Sequence, residues 1–152
     1  MNFVTEPQRQ VPVIYECDLV VVGGSCTGLF AAVRAARLGL RVALVEASGR
    51  LGGVACNGLV NIWHSLYDIC DEKQIISGLT EEMVNLLAAH GDAVVSKSES
   101  SAIRFNSEVL CCELDVLAKQ NNIRLFLHTY YASLVKNGDR VDAVLVESKD
   151  GR

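Results

Sequence analysis

The residues with the clearest chemical content are Gly23-Gly24-Ser25-Cys26-Thr27-Gly28. In the pattern G-x-G-x-x-G a turn of this kind binds the pyrophosphate of a dinucleotide, and each glycine has its own task. The first makes the tight turn, the second lets the backbone approach the pyrophosphate, and the third lets helix and strand pack closely. The anion then rests on unpaired N–H groups at the positive end of a helix dipole. Here Ser25 stands where the middle glycine belongs. Its Cβ takes up room, while its hydroxyl can donate a hydrogen bond to a phosphate oxygen. Glu46 supplies the other half of the pattern, at the spacing where a carboxylate accepts ribose hydroxyls, and it disfavours a cofactor with a 2′-phosphate. On the plainer reading the glycines only turn the chain and Glu46 only solvates a strand end. That turn, helix and acid agree together weighs against it.

Such a turn needs a strand before it, a helix after it and a second strand ending in the acid. Cys17–Val22 is a short valine-rich run that reads as a buried parallel strand. From Cys26 to Leu38, Leu29, Ala32, Val33 and Ala36 recur at helical spacing, and Gly39 is a helix stop. Arg41–Val45 is the second strand and stops at Glu46. The result is a βαβ unit with a right-handed crossover and a parallel sheet. Ahead of it, residues 1–16 read as a polar lead-in broken by Pro7 and Pro12.

Beyond the unit, Ser48–Val60 is a glycine-studded loop and Asn61–Ile76 is irregular. Thr80 is the expected N-cap of a helix with Glu81 and Glu82 in its first turn, where negative charge suits the dipole. Leu79, Met83, Leu86, Leu87 and His90 form its expected inner face, and Gly91 closes it. Asp92–Ser101 is expected to be a loop. A helix over Ser107–Gln120 turns Val109, Leu110, Leu114 and Leu117 inward and stops at Asn121-Asn122. Three β runs follow, Ile123–His128, Tyr131–Lys136 and Val141–Glu147, as a C-terminal meander with a hairpin turn at Asn137-Gly138-Asp139. Lys149-Asp150-Gly151-Arg152 is a further turn that calls for a returning strand, so residues 17–152 read as the N-terminal, truncated portion of a larger domain.

Composition narrows the class. Of 152 residues 50% are hydrophobic and 21% charged, enough to bury a core and too apolar for a disordered chain. A net charge of −4 without a basic run argues against a nucleic-acid or anionic-membrane partner. The most apolar region, Gly28–Val45, is broken by Arg34, Arg37 and Arg41, so no membrane segment is expected. No secretory signal is read at the N-terminus. Six cysteines without a C-x-x-C pair or a metal-like array with histidine read as reduced thiols of a cytoplasmic protein, with no metal site.

Cys17–Gly58 resembles the N-terminus of the FAD-dependent oxidoreductase family, flavoproteins of the two-dinucleotide-binding-domain type. Gln74–Leu87, Phe105–Leu117 and the final LFLHTYYASLVKNGDRVDAVLVESKDGR are similar to it in order and character. The subgroup resembled includes relatives of the fumarate reductase flavoprotein and the heterodisulfide reductase A subunit. The resemblance implies a Rossmann-like FAD-binding domain, with FAD rather than NAD as cofactor. Its discriminating feature is Arg50-Leu51-Gly52-Gly53, a glycine pair that in the family lets the loop run along the cofactor toward the flavin. It implies that Gly23, Gly24, Ser25, Thr27 and Gly28 hold the pyrophosphate and that Glu46 binds the adenosine ribose. Ala47 and Arg50 would flank the adenosine half, with Gly53, Val54 and Cys56 near the pyrophosphate-to-flavin stretch. Tyr131 falls where the family recognises adenine through backbone groups. Two departures stand out: Ser25 itself, and the lack of the later segment and the separate domain with which the family closes its FAD site and holds a small-molecule substrate.

Three readings of function follow. The first is the N-terminal part of an FAD-dependent oxidoreductase. The second is an NAD-dependent dehydrogenase domain, against which the Gly52-Gly53 loop counts. The third is a truncated or degenerate nucleotide-binding module without turnover. No residue is singled out as catalytic. Cys56 could face the flavin as a redox thiol or an attachment point, but with no second cysteine placed to partner it a buried wall residue is the favoured reading. His64 is either an acid/base or anion contact near substrate or simply packed or solvated, the latter being favoured; His90 and His128 are assigned no chemistry. Cys111 and Cys112 are read as one core and one surface thiol, since adjacent helix positions point apart.

Overall fold

A computed structural model describes residues 1–5, 8, 10–70, 72–95 and 102–151. The expectations for Pro7, for 96–101 and for Arg152 lie outside the described residues. Strands β1 (Leu19–Val22) and β2 (Val42–Val45) pair in parallel, from Leu19 opposite Val42 to Val22 opposite Val45. Helix α1 (Cys26–Arg37) connects them and buries Leu29, Ala32 and Val33. Leu38 caps it and Gly39 follows at φ 91°, the left-handed conformation that glycine adopts without strain. All four residues of β2 are buried, because it is the central strand. On its other side β6 (Arg124–Phe126) pairs in parallel, Ala43 opposite Arg124 and Val45 opposite Phe126, giving the order β1-β2-β6.

The first of the three C-terminal β runs therefore completes the parallel sheet. The antiparallel element consists of β7 (Tyr130–Asn137) and β8 (Arg140–Glu147), joined by the two-residue loop Gly138-Asp139. After it, Ser148 and Gly151 exchange backbone hydrogen bonds of 2.9 and 3.1 Å in a second tight turn. The chain reaches β6 through α3 (Ser107–Gln120), which buries Leu110, Cys111, Leu114, Leu117 and Ala118. Asn106 caps α3, its side-chain oxygen accepting from the Glu108 and Val109 N–H groups at 3.1 and 3.4 Å. At the other end Asn121 caps the helix and Asn122 adopts φ 54°.

Two expectations are corrected. The stretch from Asp92 is not all loop: Ala93–Val95 is β4, which pairs antiparallel with β5 (Ile103–Phe105), and β5 pairs in turn with β3 (Ile62–Trp63). Strands of two or three residues are too short to show alternation, and what holds them is packing. Trp63 lies 4.7 Å from Phe105, ring to ring. The second correction concerns α2 (Leu79–Ala89), whose N-cap is Gly78 at φ 76°, so Thr80 lies inside the first turn with Glu81 and Glu82. Its inner face is also rotated. Met83, Val84 and Leu87 are buried while Leu86 is exposed, because Val84 packs on a second cluster with Leu66 and Ile103. No helix among the described residues is long and apolar enough to cross a membrane.

Candidate functional site

The carboxyl ends of β1 and β2 meet at the glycine turn. The Gly23 N–H donates to the Val45 carbonyl at 2.8 Å, tying the turn to the neighbouring strand. A Cβ on Gly28 would run into the Gly23 carbonyl oxygen, so α1 can start this close to the turn only with glycine there. Gly24, a free position in the motif, is also crowded, by side chains rather than backbone. Its Cβ would stand 2.7 Å from Leu51 and 3.1 Å from Glu46. Sequence spacing gives no sign of that contact, which depends on a loop more than twenty residues away. Ser25 is the N-cap of α1 at φ −60° and ψ 168°, ordinary extended backbone, and its Oγ accepts from the Gly28 N–H at 3.3 Å. Ser25 and Thr27 are exposed beside the N–H groups of the first helical turn, which have no carbonyl one turn earlier to bond.

Glu46 sits at the tip of β2 with its backbone fixed on both sides: its N–H donates to Phe126 and its carbonyl accepts from Thr129, at 2.9 and 3.0 Å. Its carboxylate accepts from the Gly24 N–H at 2.6 Å and the Ser48 N–H at 2.7 Å. Partial burial pushes its pKa up, but the bonds from Ser48 and Gly24 outweigh that and hold the carboxyl below the usual range. Glu46 is therefore an anion at neutral pH. A carboxylate offers about four lone-pair sites, so the two bonds to the turn leave room to accept hydroxyl donors.

The loop from Ser48 closes over the turn. Ser48 Oγ donates to the Arg50 carbonyl at 2.7 Å and accepts from Asn57 Nδ2 at 3.0 Å. Leu51 is fully buried, an anchor worth about 2 kcal/mol. The Gly52 N–H then donates to the Gly24 carbonyl at 2.8 Å, and Gly53 begins a 3₁₀ turn (Gly53–Ala55) against Ser25. Val54, within that 3₁₀ turn, is exposed. Arg50 points elsewhere: its Nε donates to Cys111 Sγ at 3.4 Å and its Nη2 to Glu108 at 2.7 Å, both on α3. The guanidinium fastens the loop to α3, while the Arg50 N–H and carbonyl both bond Ser48 Oγ.

Beyond Glu46 a cleft of about 340 Å³ is lined by Ala47, His128, Tyr130, Glu147, Ser148 and Lys149. Tyr130 rather than Tyr131 faces it; Tyr131 pairs with Val146 one position further along β7. His128, which sequence spacing leaves without a task, is set over Gly49, whose Cβ would lie 2.6 Å from Nε2. A larger cleft, of about 390 Å³, runs between α2 and α3. Glu82 in it is engaged with Arg37 at 2.7 Å, and Glu113 lies 3.9 Å from the His90 ring. It stands apart from the glycine turn, so the smaller cleft is the one continuous with the candidate chemistry.

Cys56 is fully buried, and the structure supplies the neighbour that sequence spacing does not reveal: Cys111 lies against it. Burial, with smaller effects of Cys111 and Cys26, pushes the Cys56 thiol up to about 12; burial pushes Cys26 up to about 11. Neither is a thiolate at neutral pH, which disfavours nucleophilic roles. Iodoacetamide at pH 8 is expected to label the exposed Cys70 and Cys112 of the folded chain and to spare Cys56 and Cys26. Peptide mass mapping checks this, and early labelling of Cys56 would contradict its burial. His64 is exposed.

The sequence model of the FAD dependent oxidoreductase family matches residues 18–152. Dihydrolipoyl dehydrogenase of Schizosaccharomyces pombe is 35% identical over 101 residues, 59% of this chain and 19% of that protein. Glutathione reductase of the same organism is 52% identical over 46 residues, 30% of this chain and 10% of that protein. The matched stretches thus span a fifth or less of those relatives. Among solved structures, THI4 from Thermovibrio ammonificans superposes with a TM-score of 0.61 at 17% identity, covering 87% of this chain and 48% of that one. A geranylgeranyl bacteriochlorophyll reductase-like protein from Thermoplasma acidophilum gives 0.56 at 15% identity, covering 88% and 35%. These two likenesses concern the fold.

Proposed function

The chain belongs to the FAD dependent oxidoreductase family, and from that premise we propose that it forms the adenosine and pyrophosphate half of an FAD site in an oxidoreductase acting on a small molecule. The observation that carries this is the joint packing of three segments: Gly24 N–H on the Glu46 carboxylate, Gly52 N–H on the Gly24 carbonyl, and Gly28 against Gly23. The residues fit the cofactor. Gly23 and Gly28 let turn and helix meet closely, Ser25 and Thr27 are exposed beside the N–H groups of the first helical turn, and the carboxylate is charged where two ribose hydroxyls would need acceptors. When bound, the flavin supplies the redox chemistry by accepting hydride or electrons at its ring.

The work of this chain is to bind and orient. The first turn of α1, with Ser25 and Thr27, faces the pyrophosphate. Glu46 accepts the ribose hydroxyls, and Ala47 opens onto the cleft that receives the base beside Tyr130, with the backbone of Tyr131 next along the strand. Gly52 and Gly53 let the loop run close, and Val54 offers an apolar contact toward the flavin. Cys56 supports the loop from behind as a buried wall residue. Six free cysteines suit a reducing, cytoplasmic setting. Titrating FAD into the purified chain, with flavin fluorescence as readout and NAD as competitor, tests the reading. Saturable quenching that NAD does not reverse is expected. Quenching reversed by NAD would favour a nicotinamide site, and none at all in a folded chain a module without cofactor.

A further inference from the structure

Ser25 stands where the motif has its middle glycine, and its contact with Gly53 gives it a role of its own. Ser25 has φ −60°, so a side chain there costs no backbone strain; what it needs is space. That space comes from Gly53. A Cβ on Gly53 would lie 3.0 Å from Ser25 Cβ and 3.2 Å from Ser25 Cα, closer than such atoms normally approach. The bond from Gly52 N–H to the Gly24 carbonyl, 2.8 Å long, keeps the two segments at this separation. Meanwhile Ser25 Oγ accepts the Gly28 N–H at 3.3 Å. A hydroxyl has one proton to give, and among the described residues that proton has no acceptor. Ser25 is exposed on the turn, next to the N–H groups of the first helical turn.

We propose that Ser25 and Gly53 are a reciprocal pair in which Gly53 makes room for the Ser25 side chain and the Ser25 hydroxyl donates to the cofactor pyrophosphate. The pair rests on the cofactor reading above and adds a selective element to it: affinity for the diphosphate linkage beyond what the backbone turn provides. A serine that served only as a helix cap would behave differently, because glycine is itself a tolerable N-cap, costing a few tenths of a kcal/mol.

The experiment is calorimetric binding of FAD, ADP and adenosine to the full chain, its Ser25→Gly and Gly53→Ala variants, and the double variant. Ser25→Gly is expected to leave the melting temperature nearly unchanged and to weaken FAD and ADP about tenfold, as for one lost charge-assisted hydrogen bond. Adenosine should be unaffected. Gly53→Ala is expected to weaken FAD more in the Ser25 background than in the Ser25→Gly background. The backbone strain of an alanine at this position, where φ is 51°, is common to both backgrounds and cancels. Equal or tighter FAD and ADP binding by Ser25→Gly, or additive effects of the two substitutions, would overturn the proposal. Absence of saturable FAD and ADP binding by the unaltered chain would instead overturn the cofactor reading beneath it.

Discussion

Gly28→Ala is expected to lose FAD binding and to destabilise the chain by about 3 kcal/mol, the upper end of the range for overpacking. The added methyl would run into the Gly23 carbonyl oxygen, a backbone atom that cannot rotate away. Either α1 moves outward or the turn opens, and both outcomes scatter the N–H groups that should face the pyrophosphate. Alanine's better helix propensity, about 1 kcal/mol over glycine, is too small to compensate. For a domain of this size the melting temperature should fall by about 10 °C. Gly39→Ala separates crowding from backbone strain: its Cβ would meet nothing within 4 Å, so only the penalty of φ 91° remains. Thermal melts and FAD titrations of both variants should show a small stability loss with intact binding for Gly39→Ala. A Gly28→Ala chain with unchanged melting and affinity would remove the close helix–turn contact from the explanation of the site.

Glu46→Ala is expected to weaken FAD about a hundredfold, the loss of two hydrogen bonds from ribose hydroxyls to a charged acceptor at about 1.5 kcal/mol each. It also leaves the Gly24 and Ser48 N–H groups without their acceptor. The site is half exposed and water can replace part of that, so the stability cost is about 1–2 kcal/mol. The pH dependence has a definite sign. The folded carboxyl titrates below its ordinary value of 4.5, so its contribution is fully present above about pH 4.5 and disappears as pH falls through the lower, folded value. Urea unfolding of the two proteins should therefore differ at pH 7 and converge as pH falls through that lower, folded value. Binding of FAD by Glu46→Ala at wild-type affinity would remove Glu46 from the ribose site.

The βαβ core was legible because each of its signals is local. Valine-rich runs, helical spacing of Leu29, Ala32 and Val33, and Gly39 after the last turn each speak for a segment without knowledge of the rest. Helix α3 was legible for the same reason. What escaped depends on contacts between distant segments. Strands β3, β4 and β5 are two or three residues long and exist through pairing with one another. β6 looks like any β run until its parallel register with β2 assigns it to the Rossmann sheet. In the site, the motif named Gly23, Gly28 and Glu46 correctly as neighbours of one turn. It could not reveal that Leu51 presses on Gly24, that Arg50 reaches across to Cys111 and Glu108, or that Cys111 lies against Cys56. Ser25 reads from sequence as a departure from the motif, and only the structure places Gly53 opposite it.

The most direct measurement is a ¹H–¹⁵N correlation spectrum of the full chain recorded while FAD is added. The two clefts lie on different elements, so amide shifts locate the ligand without any need for turnover. The largest shifts are expected at Gly24, Ser25, Thr27, Gly28, Ser48 and Gly53, with smaller ones at Ala47 and Tyr130. Shifts confined to Leu79, Met83, Val116 and Leu117 between α2 and α3, or none at saturating FAD, would contradict the assignment of the glycine turn and Glu46 as the cofactor site.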